Sequence, residues 1–549
     1  MNNSNVLAGN QLSERLLNPF GNSVRACKNL RGLGFYLLTR CVVLQIFIDA
    51  SIQNIASVAS VYFTALIIFA ITFRAKMVRL APLPVVIVTG YNMATMSGAL
   101  VTQTLYFKPL VYNLAVPEYT FPALILFQMG LLAAFLLFAN SSIFFKASDF
   151  ARKNVLVPAG LLKAPLPSQV WLMGIFGLFA IVSSIDFSQA VKYGDAGPKF
   201  IEGFVYLTFM PFTLPALAYI FPNNNQYTSI QSHYKFLLPY FIVLVLVGIS
   251  ANTRGGFAGP AANMCLILFL LFVMGQLVFT RFACRGLLFG AIVIVMASPT
   301  ISDLATAMVV VRGERDKVST EQLMLKTFDA FQNKKEIESY RRLQQEITGT
   351  NDYEENYITN PFLTRLILTK FTDNMLSLKH IRNGRHTDVV WEVTIKTLMG
   401  LFPTPLLRFF GSKLDKEDIR FSIGDALYAV QNGIGLGEYK LGSSVAHGVA
   451  LMGAISYLVI IPIFLIVFIA VQSFTFATGG LVVLSPLILL QLISLYFLPI
   501  GDSFFGPVIF LVRTLPQNII TYMIAFHCAW LVIALAQFVI SPARHPVKY

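Results

Sequence analysis

Arg254 stands in Asn252-Thr-Arg254-Gly-Gly256, a turn of a few residues between two apolar stretches. An arginine this close to a membrane core is costly unless it snorkels or lines a watery cavity. It is therefore either a functional residue or a snorkelling helix-end cation. The two glycines after it permit close backbone approach and unusual dihedrals. Asp502 occupies a second short turn, Gly501-Asp-Ser-Phe-Phe-Gly506, with Arg513 beyond it. Glu438 lies in Gly435-Leu-Gly-Glu438-Tyr-Lys-Leu-Gly442, with His447 close behind, and Asp303 is an acid near the end of an apolar stretch. Lys379, His380, Arg382, Arg385 and His386 form a basic, turn-forming cluster. It reads as a solvated turn or as a phosphate grip, because guanidinium groups bind phosphate oxygens bidentately.

Motifs of soluble enzymes are missing from the sequence: there is no Walker A loop, dinucleotide fingerprint, H-E-x-x-H or G-x-S-x-G. Asp352-Tyr-Glu354-Glu355 could hold a divalent cation, but it reads more simply as a solvated acidic turn. The six histidines are scattered and make no metal set. The expectation is no metal and no cofactor. Chemistry would then run on arginine electrostatics and one carboxylate base, acting on an already activated substrate.

The elements that must hold these residues are membrane helices. Of 549 residues, 56% are hydrophobic and 12% charged, against about 25% charged in a soluble domain. The mean hydropathy is +0.67. Apolar stretches long enough to cross a ~30 Å hydrocarbon core recur along the chain. In lipid the backbone must satisfy its own hydrogen bonds, and uncharged runs such as Phe236 to Ile249 lack the alternation of a barrel strand, so helices are expected. Spans are expected near 33–53, 55–73, 81–103, 121–145, 169–189, 202–221, 236–252, 257–280, 286–307, 446–472, 480–500 and 514–540. The expected fold is all-α, a polytopic bundle of about 12 transmembrane helices with one large, mostly helical extracytoplasmic loop.

Alternate connections are basic. Arg74, Lys76 and Arg79 form one cluster, Lys146, Arg152, Lys153 and Lys163 another, and Arg281 with Arg285 a third. Arg25, Lys28 and Arg31 precede the first span, and Arg544 and Lys548 follow the last. The intervening connections carry Asp49, Glu118, Asp195, Glu202 and Asp502 among few cations. The positive-inside rule assigns the basic set, and both termini, to the cytoplasm. The chain then divides into a tail (1–32), nine spans (33–311), an external loop (312–446), three spans (447–540) and a second tail (541–549). Residues 1–31 lack a compact apolar core with a cleavage site and read as a retained tail. The net charge of +14 needs no nucleic-acid partner. The loop is nearly neutral, with 19 Lys/Arg and 18 Asp/Glu, so the excess lies in the topological clusters.

A loop of about 135 residues exceeds the usual connection length many times over and is functional or disordered as a rule. Lys326–Glu346 has helical character. Pro361–Leu378 reads as an amphipathic helix with Asn360 as N-cap and Pro361 at its first position, lying at the membrane interface or packed in an external subdomain. The cysteines (Cys27, Cys41, Cys265, Cys284, Cys528) fall in or beside spans, so no disulfide framework holds the loop.

Four stretches, in this order, resemble the bacterial O-antigen and exopolysaccharide repeat-unit polymerases. Asn252-Thr-Arg254-Gly255 is similar to that family's Ser-Arg-Gly turn. Leu401-Phe-Pro403-Thr-Pro405 through Lys413 is similar to its Pro-rich stretch, without the usual Lys-Pro close. Gly437-Glu438-Tyr439 through Gly442 and Gly448 resembles the acidic and aromatic residues before a Gly-bearing helix. Gly501-Asp502 resembles the polar turn before the last span. The resemblance covers roughly residues 245–540, in order and topology.

It implies a glycosyltransferase at the outer face of the bacterial inner membrane, polymerising oligosaccharide repeat units carried on undecaprenyl (polyprenyl) diphosphate. Arg254, with Arg382, Arg385 and Arg365, would bind the diphosphate, and Glu438 or Asp502 would be the base; spacing does not choose between them. Implied partners are the lipid-linked oligosaccharide, membrane lipid, and a chain-length regulator and flippase of the same pathway. The competing readings are a transporter or flippase of lipid-linked sugars, a ligase-like glycan transferase and an assembly scaffold. A transporter would carry polar residues at the bilayer midplane and internal repeats; Arg40 is the only strongly placed intramembrane cation, and the halves do not mirror each other.

Overall fold

The computed structural model describes residues 18–184, 200–222, 227, 231–250, 255–278, 299–300, 302–311, 318, 320–347, 357–358, 364, 366–384, 387–402, 404–411, 414, 421–432 and 440–540. The first helix, α1 (Pro19–Ile48), begins well before the expected 33. Pro19 suits the first helical turn, and the Asn18 side chain accepts the Gly21 N–H at 2.8 Å. This polar opening is packed as well: Ser23 Oγ donates to Val273 O at 2.7 Å.

Helices α2 (Ile52–Thr72), α3 (Pro82–Leu105) and α4 (Pro117–Asn140) follow, then a surface helix α5 (Ser142–Ala151) and α6 (Phe200–Ile220). The described residues between 312 and 446 include the helices Thr320–Gln332, Lys334–Ile347, Lys379–Arg382 and Thr404–Phe409, and three that bear on the site: α7 (Thr369–Ser377), α8 (Thr387–Met399) and α9 (Ile423–Asn432). Helix α10 (Ser444–Gln472) leads into a hairpin of β1 (Thr475–Thr478) and β2 (Leu481–Leu484), and α11 (Gly506–Val539) ends the described chain.

Among the described residues, seven helices (α1–α4, α6, α10 and α11) are long and apolar enough to cross a membrane. Three shorter apolar helices, Pro167–Ser183, Leu237–Ile249 and Gly259–Val273, accompany them. The chain is thus a mostly helical membrane bundle. The expected span at 286–307 lies largely outside the described residues.

Helix α4 sits at the centre, against α2, α3 and α10. Its aromatic face (Phe121, Phe127, Phe135, Phe138) is fully buried, and Phe135 and Phe138 meet Phe468 of α10. Burying such a side chain is worth about 1.5–3 kcal/mol in water; between membrane helices the gain is close packing.

Residues 480–500, expected as one continuous span, form instead strand β2 and then short helical pieces, Pro486–Leu490, Leu492–Phe497 and Leu498–Ile500. The reason is local. Gly479 and Gly480 both have positive φ, the requirement of a tight two-residue hairpin turn. Pro486 and Pro499 lack the N–H a continuing helix needs. The segment is apolar because it is buried, from Val482 to Leu492 almost without interruption.

Candidate functional site

One end of the bundle gathers the ends of α1 and α3, the starts of α2, α4, α10 and α11, and helices of the long segment. Helix α3 contributes an irregularity there. Its residues Met93–Ser97 form a π-helical turn, a feature frequent at functional sites. The displaced carbonyls are taken up by the long segment: Leu368 N–H donates to Ala94 O at 2.8 Å, and Thr369 Oγ1 to Thr95 O at 2.7 Å.

Helix α7 is therefore inserted into the bundle, and every residue from Thr369 to Leu376 is buried. This corrects the expected Pro361–Leu378 helix. The helix begins at Thr369, residues 366–368 are non-helical, and α7 has no solvent face. Neither an interfacial helix nor an external subdomain describes it.

The insertion carries two charges. Lys370 is 4% exposed and Asp373 0% exposed, and they pair at 3.1 Å. Asp373 also accepts the backbone N–H groups of Ala115 (2.8 Å) and Val116 (2.9 Å) and the Thr120 hydroxyl (3.0 Å). Lys370 Nζ reaches Asn113 O. A buried pair is tolerated when its remaining hydrogen-bonding capacity is filled in this way, and the carboxylate sits favourably at the start of α4. Sequence reasoning missed the pair, although opposite charges at i and i+3 in an otherwise apolar stretch were a readable signal.

The turn at Asp502 is the second junction. Oδ2 accepts the Ile423 N–H at 2.6 Å, and Oδ1 accepts those of Gly424 at 3.1 Å and Gly442 at 2.6 Å. Asp502 thereby covers the N-terminus of α9, where unpaired N–H groups and the helix dipole favour an anion. Gly424 and Gly442 are required by close approach, because a Cβ on either would collide with the other's backbone. Burial raises the Asp502 carboxyl above the usual carboxylate range; the three N–H groups offset part of this, and nearby Asp425 adds to it.

His447 holds the same turn from α10. Its Nδ1 lies 3.1 Å from the Phe504 nitrogen, and its Nε2 2.8 Å from Thr394 Oγ1 on α8. The Phe504 N–H can only donate, so Nδ1 is the acceptor and Nε2 carries the proton.

Asp303 is held by Lys334 and Arg341, both at 2.8 Å, which ties the helix at residues 302–310 to the long segment. An apolar slot between α8 and α9, lined by Val390, Val393, Ile423 and Leu427, measures about 10 Å³. That is room for about one water and not for a sugar.

No family model matches the chain, and no curated protein or solved structure is similar to it. Of the expected site residues, Asp502 is described in full. Arg382 is the last residue of a short helix, Lys379–Arg382, that follows directly on α7. Arg254, Arg365, Arg385 and Glu438 lie outside the described residues. Chemically, the described part of this end is a scaffold: three buried polar junctions fix the long segment onto the membrane helices.

Proposed function

We propose that the chain is a membrane glycosyltransferase that polymerises polyprenyl-diphosphate-linked oligosaccharide repeat units into O-antigen or exopolysaccharide at the outer face of a bacterial inner membrane. In this reading it has about twelve spans, cytoplasmic termini and an extracytoplasmic loop at 312–446. The observation that carries the reading is the insertion of α7, sealed by the Lys370–Asp373 pair. The pair anchors α7 on the bundle, and in the sequence Arg365 precedes α7 while Arg382 and Arg385 follow it; in this reading the anchored helix holds those arginines in place. Fixed cations are what stabilisation of a departing diphosphate requires, since preorganised charge needs no reorganisation as the transition state forms.

In the proposed step an acceptor hydroxyl attacks the anomeric carbon of the donor glycan. The new glycosidic C–O bond forms as the bond to the carrier diphosphate breaks, and the diphosphate leaves with the electron pair. Arg254 and the loop arginines stabilise that charge. Glu438 takes the hydroxyl proton. Asp502 suits a positioning role better than that of base. Its raised pKa would fit a base, but three N–H groups already occupy most of its acceptor capacity.

Gene deletion complemented with wild type or Arg254→Ala, at matched membrane abundance, tests the proposal. Wild type restores high polymer, whereas the deletion leaves single repeat units, and Arg254→Ala lowers polymer by about 100-fold or more. Unpolymerised units held on the inner leaflet would identify a flippase, and finished polymer left on its carrier would identify a ligase.

A further inference from the structure

Arg40, the cation set inside the first span, takes no part in the proposed glycosyl transfer. It stands on α1 nine residues from Arg31 and nine from Asp49, the charges that bracket the apolar part of the helix. At 1.5 Å per residue that is about 14 Å from either end, the middle of a span. Its side chain is exposed. The guanidinium lies 4.8 Å over the ring of Tyr36, one turn back, which covers only part of the distance to water. Among the described residues no hydrogen bond or ion pair reaches it. The inner face of α1 is engaged separately: Leu38, Cys41 and Gln45 are buried, and Gln45 donates to Thr104 Oγ1 on α3 at 3.0 Å.

The outer face has the form of a helix-packing seam. Leu33, Tyr36, Arg40, Val43 and Phe47 are all exposed and recur at alternating intervals of three and four residues. That is the spacing at which one helix packs along another. Lipid accepts the other four side chains, but a guanidinium at this depth calls for a counter-charge. The described helices of this chain do not carry one. In the seven long apolar helices the acidic residues are Glu118 and Glu202, each within three residues of a helix start, and the three shorter ones hold none. A second copy brings the same helices, and pairing α1 with α1 about a two-fold axis would set Arg40 against Arg40.

We propose that this face of α1 docks a transmembrane helix of a different protein, one that carries an aspartate or glutamate near the middle of its span, and that Arg40 pairs with that carboxylate. The apolar members of the row supply close packing on either side of the pair. The pair supplies the specificity, because a helix without the acid leaves the guanidinium without a counter-charge. The docking face is independent of the glycan reading.

The test is photo-crosslinking of the full-length chain in its native membrane, with p-benzoylphenylalanine at Val43, one turn from Arg40 in the same row. The expected product is an adduct with another protein, and mass spectrometry of the joined peptide should place it in a membrane span that carries Asp or Glu. Arg40→Leu, suited to an exposed apolar face, should lower the adduct about tenfold at unchanged abundance, and Arg40→Lys should retain most of it. Changing the partner's acid to arginine should abolish the adduct, and combining that change with Arg40→Glu should restore it. Adducts with lipid alone, with a second copy or within the chain would overturn the proposal. So would a partner span without an acid, or an adduct that Arg40→Leu leaves unchanged.

Discussion

Asp502 receives three backbone N–H groups at once, and its removal leaves three buried donors without a partner. Each such loss costs about 1–3 kcal/mol. Asp502→Ala should therefore lower stability by several kcal/mol, seen as reduced membrane abundance and a lower Tm. Glu438→Gln should lower polymer yield at normal abundance, and this contrast separates positioning residue from base. The pH dependence has a definite sign. With a raised folded pKa, the stabilisation from Asp502 is complete below the ordinary aspartate value of about 4 and is lost as pH climbs through the raised value. Asp502→Asn removes that titration, so the Tm gap between wild type and Asp502→Asn should narrow as pH rises above about 4; a constant gap would contradict the assignment. At this scale the sequence was a partial guide. A carboxylate in a short turn before a span marks a place of interest, but its partners Ile423, Gly424 and Gly442 lie far away along the chain, and their approach depends on tertiary packing that local pattern does not encode.

Helix α7 shows what amphipathic pattern can and cannot foretell. Phe371 and Leu376 were legible as part of an apolar set, and helix in this region follows from them. The start at Thr369 was not legible, because it depends on Leu368 bonding to a carbonyl freed by the π-turn of α3. The hairpin was hidden for a related reason: Leu481–Leu490 is as apolar as a span, and burial accounts for that as well as lipid does. The Lys370–Asp373 pair fastens this insertion. Removing one partner strands the other in a dry site, so Lys370→Met and Asp373→Leu should each destabilise by about 3–5 kcal/mol. The double variant should lose much less than the sum, a coupling that a double-mutant cycle of unfolding free energies measures. Additive losses would mean that the two charges are stabilised separately.

At the scale of the molecule, hydropathy identified a helical membrane bundle, and among the described residues seven helices are long and apolar enough to cross a bilayer. Two of the basic connections share an end. Arg79 and Arg152, from two different basic clusters, both bind the β1–β2 hairpin, through Gly480 O and Thr475 O. These two clusters thus share one end, while the opposite end holds the long segment through Asp303, Asp373 and Asp502. Cations at one end and buried, fully engaged carboxylates at the other suit a protein that works on a lipid-linked substrate with a fixed loop. The most direct test is reconstitution of the purified chain in proteoliposomes, with polyprenyl-diphosphate-linked repeat units as the sole substrate. The polymerase account predicts a ladder of lengthening glycans and one polyprenyl diphosphate released for each bond formed. Repeat units that stay single, or cross the bilayer without joining, would contradict it.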